Sequence, residues 1–158
     1  EKFLKKVLEV KPDQVTLVPD KPDTLTSLEG WDTIKNRDML KKIIQTLRSS
    51  DIRVAIFVHP NLDMLKGAFE IQADRIELFT GIYAENKQTI DSYVACSEYA
   101  HSVGMGVNAG HDLDLNNLPF FIGAMPYLDE VSIGHALISE SLFLGLEKTI
   151  KMYKEILA

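Results

Sequence analysis

The sequence predicts an α/β fold in which helices cover a parallel sheet, and two observations support this prediction. Short runs rich in β-branched residues alternate with longer segments of helical periodicity, which is the pattern of repeated β–α units. One run, residues 54–58, is apolar at every position, as expected of a strand covered on both faces. No linker-like or low-complexity tract divides the 158 residues, so residues 1–158 are expected to form a single domain.

Five strands are predicted from these runs. They cover residues 15–18, 54–58, 75–79, 106–108 and 130–133. Pro19 and Pro60 follow the first two strands closely, and proline is a natural end for a strand because it cannot donate a hydrogen bond to the ladder.

Apolar residues at three- and four-residue steps predict helices before, between and after the strands. These helices cover approximately residues 3–8, 39–47, 62–72, 90–102 and 142–157. Asn61 or Asp63 is expected to cap the third helix, and Gly104 to follow the end of the fourth.

The composition argues against several classes of protein. With 17 Lys+Arg against 23 Asp+Glu the net charge is −6, so nucleic acid is not an expected partner. Cys96 is the only cysteine and cannot form an intramolecular disulfide, which favours a buried thiol and a cytoplasmic location. The longest apolar run is too short to span a bilayer, and residues 1–10 lack the apolar segment of a signal peptide, so no membrane association is expected.

Two of the predicted strands are followed by the same dipeptide, Gly-His, at Gly110-His111 and Gly134-His135. Ligands of parallel α/β folds contact the loops that follow the strands. Glycine allows backbone N–H groups to approach an anion, a helix N-terminus favours negative charge, and imidazole can transfer a proton. These turns are therefore candidate phosphate sites, the alternative being tight turns with exposed histidines.

Glu77 lies between Ile76 and Leu78 in the third predicted strand. A carboxylate buried in a strand is costly unless it is paired or used, and inward-facing barrel residues alternate in this way. The alternative is an exposed carboxylate on an edge strand. Residues 19–27 are expected to form a long loop that either covers a ligand or lacks a fixed structure.

The remaining polar candidates are weaker. The spacing of His111, Asp112 and Asp114 matches no strong zinc or calcium signature, so no metal is expected. We expect His59 to have a structural role and His101 to be solvated. Trp31 is expected to anchor the long loop.

Four strings carry a resemblance to a known family: Leu-Val-Pro-Asp-Lys-Pro at 17–22, Ile-Glu-Leu-Phe-Thr-Gly at 76–81, Val-Asn-Ala-Gly-His at 107–111 and Ile-Gly-His-Ala at 133–136. Together, in this order and spacing, they resemble the pyridoxine 5′-phosphate synthase family. That resemblance implies a (β/α)8 TIM barrel, of which this chain is the C-terminal two-thirds. It would supply about five βα units and lack the first three.

The resemblance also implies a reaction. It condenses 1-deoxy-D-xylulose 5-phosphate with 3-amino-2-oxopropyl phosphate to give pyridoxine 5′-phosphate, inorganic phosphate and water, without a cofactor or metal. His111 would be the proton donor, and Glu77 the carboxylate that stabilises a transition state. The implied substrate-binding residues are Thr26, Asp112, Gly134 and His135. The family commonly has glycine at the position of Asp112, so this residue would contact the substrate amine or shape the turn.

The implied glutamate base, second catalytic histidine and phosphate-binding arginines belong to the first three βα units. We therefore expect the 158 residues alone to be inactive and to leave an apolar barrel interior open to water. The resemblance further implies a homo-oligomer such as an octamer. Two alternatives stay open: another phosphate-binding barrel, such as an isomerase or an aldolase, for which Lys21 is a poor Schiff-base residue, and a non-catalytic five-stranded flavodoxin-like domain.

Overall fold

A computed structural model describes residues 2–21 and 23–158. Glu1 and Pro22, the latter within the predicted loop 19–27, lie outside the described residues. The elements, in chain order, are α1 (Lys2–Val10), β1 (Gln14–Leu17), α2 (Arg37–Arg48), β2 (Arg53–Val58), α3 (Leu62–Glu70), β3 (Arg75–Phe79), α4 (Gly81–Glu85), a 3-10 turn (Lys87–Thr89), α5 (Ile90–Ser102), β4 (Gly106–Gly110), α6 (Leu118–Ala124), β5 (Glu130–Ser132), α7 (His135–Leu144) and α8 (Leu146–Ile156).

The strands form one parallel sheet in the order β1-β2-β3-β4-β5. Because each strand pairs with the next one along the chain, the sheet curls in one direction as a half-barrel with its helices outside. A flavodoxin-like sheet instead has the order 2-1-3-4-5. The strand order therefore confirms the α/β barrel-type fold and excludes the flavodoxin-like alternative.

The hydrophobic core lies between the sheet and the helices. Side chains on the outer face of the strands, such as Val54, Ile56 and Leu78, are fully buried. They pack with apolar side chains of the helices, including Leu40 and Ile44 of α2, in one contiguous cluster. The stripe predicted for residues 39–47 is thus the face of α2 that covers the sheet.

The inner face of the curl differs from the apolar interior that we expected. Its amino-terminal half carries a cluster of polar side chains, here called the amino-end cluster: Gln14, Arg53, Arg75, Asn108 and Glu130. Glu130 accepts hydrogen bonds from the side chains of Gln14 (3.3 Å), Arg53 (2.9 Å) and Asn108 (3.1 Å). The expectation of an apolar interior was wrong because charged and amide groups from all five strands contact one another there.

Several predicted element boundaries are confirmed. The Asn61 side chain accepts a hydrogen bond from the backbone N–H of Asp63 (2.8 Å) and so caps α3. Gly104 has φ +76° after the end of α5, the left-handed conformation typical of a glycine that terminates a helix.

Other boundaries differ. The single helix predicted for residues 142–157 is two helices, because Gly145 has φ +85° and separates α7 from α8. Strand β4 continues to Gly110, two residues beyond its predicted end, and the short helices α4 and α6 were not predicted. No helix within the described ranges is long and apolar enough to cross a membrane.

Candidate active site

A cleft of about 650 Å³ opens at the carboxyl end of the strands. It is lined by Thr16, Val18, Thr26, Ser27, Phe57, Glu77, His111, Asp112, Ser132, Ile133, Gly134 and His135. The structure thus brings together all six residues predicted from the sequence as catalytic or substrate-binding, although they come from the long loop, the middle of β3, the end of β4 and the start of α7.

Glu77 projects from the middle of β3 into this cleft. The Oγ1 hydroxyl of Thr16 donates a hydrogen bond to its Oε2 atom (2.8 Å). Burial raises the pKa of Glu77 above its ordinary value, the Thr16 hydrogen bond lowers it, and repulsion from Glu130 raises it further, so that the net shift is upward. Glu77 is therefore a weaker acid than an exposed glutamate.

Gly110, at the end of β4, leaves space for the carboxyl group of Glu77. A Cβ atom at position 110 would lie 2.7 Å from Glu77 Oε1 and 3.0 Å from the Cβ of Ser132. These distances are shorter than normal van der Waals contacts, so a larger residue would displace the carboxyl group. The glycine of the Gly110-His111 turn thus has a steric role toward the neighbouring strand.

His111 follows β4 directly, and its ring is held on several sides. Nε2 is 2.9 Å from the Thr26 hydroxyl, and Nδ1 is 2.8 Å from Asp112 Oδ2. The backbone carbonyl of His111 accepts a hydrogen bond from the Thr80 hydroxyl, and the ring packs edge-on against Phe79 with centroids 5.0 Å apart. These contacts orient the imidazole toward the cleft.

The long loop between β1 and α2 reaches His111 through Thr26, and Trp31 fastens its far end. The indole N–H of Trp31 donates to the carbonyl of Leu17 (3.0 Å), and its backbone N–H donates to the carbonyl of Phe57 (2.8 Å). The prediction that Trp31 anchors this loop is confirmed. Thr26 and Ser27 line the cleft, so the loop contributes to the candidate site.

Gly134 and His135 form the start of α7, where Gly134 is the N-cap residue and both residues are exposed. The first turn of an α-helix has N–H groups without acceptors inside the helix, and the helix dipole makes this end partly positive. This end of α7 lines the cleft, where it is suited to a phosphate group.

The other histidines lie outside the cleft. His59 packs edge-on against Phe79 at 5.2 Å and is 3.7 Å from a Glu29 carboxylate oxygen. His101 is exposed, as predicted, and stacks on Tyr127 with centroids 3.7 Å apart.

Cys96 is buried, as predicted, and burial raises the pKa of its thiol to about 12, which leaves it no thiolate for catalysis at neutral pH. Across residues 2–21 and 23–158, no group of three or more His, Cys, Asp or Glu side chains is arranged to hold a metal ion.

Sequence reasoning missed two polar residues of the cleft, Thr16 and Ser132. Thr16 lies between Val15 and Leu17, and this alternation could have indicated that Thr16 faces the opposite side from its apolar neighbours. Its contact with Glu77 could not have been found in this way, because the two residues are 61 positions apart.

Comparison with known proteins agrees with this geometry. A pyridoxine 5′-phosphate synthase from Christiangramia forsetii is 52% identical, over 99% of this chain and 68% of its own length. One from Flavobacterium johnsoniae is 53% identical, over 96% of this chain and 66% of its own length. The chain thus spans about two thirds of the length of these relatives.

Solved structures of more distant proteins share the fold. The native KDPGal structure superposes with a TM-score of 0.64 at 12% identity, over 99% of this chain and 65% of its own length. The tryptophan synthase A-subunit from Pyrococcus furiosus gives a TM-score of 0.59 at 16% identity, over 98% of this chain and 58% of its own length. The family model described as "Pyridoxal phosphate biosynthesis protein PdxJ" matches residues 1–158. The resemblance read from the sequence is thereby confirmed, and the chain belongs to the PdxJ family.

Proposed function

We propose that this chain carries one side of a pyridoxine 5′-phosphate synthase active site. The observation that supports the proposal most strongly is the shared cleft of Glu77, His111 and the start of α7. The reaction would join 1-deoxy-D-xylulose 5-phosphate and 3-amino-2-oxopropyl phosphate into pyridoxine 5′-phosphate, releasing inorganic phosphate and water. It needs acid–base groups and two anion sites, and in this cleft Glu77 and His111 would supply acid–base groups and the start of α7 one anion site.

In this proposal His111 is the proton donor. Its Nε2 atom is the ring nitrogen that faces the Thr26 hydroxyl and the cleft, so a proton leaving from Nε2 reaches a bound substrate directly or through that hydroxyl. Because imidazole can both donate and accept a proton, one residue can give a proton and later recover it.

Glu77 has the electrostatic role. The condensation of an amine with a ketone passes through species in which nitrogen gains positive charge, and a carboxylate beside that nitrogen stabilises them. A carboxyl group whose pKa is raised by burial also exchanges protons closer to neutral pH than an exposed glutamate does. Thr16 and Gly110 keep this group in place.

The phosphate groups would occupy two parts of the cleft. The N-terminal turn of α7, with Gly134 and His135, is proposed to hold the phosphate of the aminooxopropyl substrate. Thr26, which also lines the cleft, is proposed to contact the deoxyxylulose phosphate. Asp112, which is half-exposed, has one carboxylate oxygen free to meet the substrate amine.

The proposal also covers how this chain fits into a complete barrel and its assembly. We propose that this chain is the C-terminal portion of a single (β/α)8 barrel, and that three further βα units close the barrel and supply the base, a second histidine and phosphate-binding arginines. The complete enzyme is proposed to be a cytoplasmic homo-oligomer such as an octamer that acts on small phosphorylated substrates.

The test uses a full-length polypeptide that contains this chain, purified and assayed for pyridoxine 5′-phosphate with both substrates. His135→Ala removes a proposed charge-assisted contact to phosphate, so the KM for 3-amino-2-oxopropyl phosphate is expected to rise about 10- to 100-fold. His101→Ala is the matched control, since His101 precedes the amino end of β4, and its KM should stay within about twofold. Absence of product from the parent enzyme would refute the proposed function.

A further inference from the structure

Two consecutive residues after β4 have left-handed backbone conformations. The φ angles are +96° at His111 and +56° at Asp112, which is rare for residues other than glycine. The turn is held by the buried residue Asn117, whose Nδ2 donates to the backbone carbonyl of Asp112 (2.9 Å). This costly conformation brings two neighbouring side chains, which would diverge in a strand, to the same side of the chain.

The result is a direct contact between an imidazole and a carboxylate. Asp112 Oδ2 lies 2.8 Å from Nδ1 of His111, whereas Nε2, the other ring nitrogen, faces Thr26. The ring is only 18% exposed, and the carboxylate is 53% exposed. Since a carboxylate can only accept, the ring must carry its hydrogen on Nδ1 in this contact.

We propose that Asp112 is a positioning residue for His111: it holds the imidazole in the Nδ1–H tautomer, leaves Nε2 as the atom that exchanges the proton, and stabilises the imidazolium. The inference rests on the proposed function of His111 as proton donor and deepens it. A carboxylate that orients a catalytic imidazole through its other nitrogen is a recurring device in enzymes.

The surroundings of His111 support this assignment. Phe79 covers one side of the ring, and the Thr80 hydroxyl holds the backbone of His111. The other titratable groups that line the cleft are Glu77 on β3 and His135 at the start of α7. Among the described residues, Asp112 is the only carboxylate within hydrogen-bond distance of the ring. Asp112 is therefore the charged group in direct contact with the His111 ring.

The test compares three variants of the full-length enzyme. Asp112→Gly removes the carboxylate while tolerating the positive φ angle, and Asp112→Asn keeps a neutral acceptor for Nδ1–H. Asp91→Asn, an exposed aspartate in the first turn of α5, is the control.

For Asp112→Gly we expect kcat to fall about tenfold with the KM for 1-deoxy-D-xylulose 5-phosphate within about twofold, and the alkaline limb of the kcat–pH profile to move to lower pH, because the imidazolium loses its partner. Asp112→Asn should recover part of kcat but retain the altered profile. Asp91→Asn should match the parent enzyme.

Nitrogen NMR of the His111 ring provides a readout that does not depend on activity. The parent protein should show the Nδ1–H tautomer in the neutral ring, and Asp112→Gly should show a mixture or the opposite tautomer. An unchanged tautomer, or a raised KM for 3-amino-2-oxopropyl phosphate with unaltered kcat and pH profile, would overturn the proposal. A parent enzyme without synthase activity would refute the proposed function, and the tautomer comparison would still decide the role of Asp112. If Asp112→Gly does not fold, Asp112→Asn decides by its pH profile.

Discussion

Glu77 and Glu130 are both glutamates on the inner face of the sheet, yet their surroundings are opposite. Glu130 contacts two arginines and two side-chain amides of the amino-end cluster. Glu77 has one hydroxyl partner, Thr16, and burial raises its pKa. Cations and amides hold Glu130 in place, whereas Glu77 has no ion-pair partner among the described residues and burial shifts its pKa upward. The neighbours, and not the residue type, separate a structural carboxylate from a reactive one.

Of the substitutions that test this comparison, the one at Glu77 is expected to have the largest effect, and the effect is on kcat. In the full-length polypeptide Glu77→Gln should reduce kcat at least about 100-fold, because it removes the charge while keeping an acceptor for Thr16. Steady-state assays check this outcome. A rate within a few fold of the parent would remove Glu77 from the catalytic residues.

The thermal stability of Glu77→Gln should not fall with its kcat. A carboxyl group whose pKa is raised on folding stabilises the folded state below its ordinary value of 4.5, and this contribution is lost as pH rises through the folded-state pKa. Glutamine does not ionise, so Glu77→Gln does not lose stability in this way as pH rises. Its Tm at pH 7 should therefore equal or exceed that of the parent. The advantage should shrink toward pH 4 in thermal melts.

The second effect concerns Glu130 and should appear in stability. Glu130→Gln leaves Arg75, whose side chain is 16% exposed, and Arg53 without that charge, so the free energy of unfolding should fall by about 2 kcal/mol. Urea titration measures it. The control is Glu147→Gln, which breaks an exposed ion pair with Lys151 and should cost less than about 0.5 kcal/mol.

The smallest effect is expected at Thr16. Thr16→Val removes the hydrogen bond that lowers the pKa of Glu77, so the limb of the pH–rate profile that reports Glu77 ionisation should move to higher pH. The kcat at pH 7 should fall about threefold to tenfold, with a change in unfolding free energy of about 1 kcal/mol or less. Thr16→Ser should restore the parent profile. An identical profile in Thr16→Val would mean that the hydroxyl does not tune Glu77.

The strands of the sheet and several residues of the candidate site could be predicted from the sequence. All five strands were predicted from short runs in which apolar or β-branched residues are continuous or alternate with polar ones, and this pattern is contained in a short stretch of chain. Among the six candidate residues that line the cleft, Glu77 and the two Gly-His turns were singled out because they interrupt or follow strands, whereas Thr26 and the substrate role of Asp112 came from the family resemblance. The residue pattern of a strand and the position of a polar residue within or after it are both local features, so neither depends on which distant residues come into contact.

The errors occurred where structure depends on distant pairing or on one backbone angle. Gln14 and Glu130 are 116 positions apart, so nothing near either residue indicates that together they make a polar interior. Gly145 interrupts a stretch whose apolar spacing is helical on both sides. A glycine within such a pattern is compatible with a continuous helix or a break, and only the φ angle decides.

Trp31 is the only tryptophan of the 158 residues, and its position has an optical consequence. Its indole N–H is bonded to the end of β1, and its backbone to the end of β2, at the base of the loop that carries Thr26. Indole emission depends on the hydrogen bonding and hydration of the ring. A natural fluorophore therefore stands where the loop joins the sheet, and its spectrum should report, without an attached dye, any ligand that changes the surroundings of the indole.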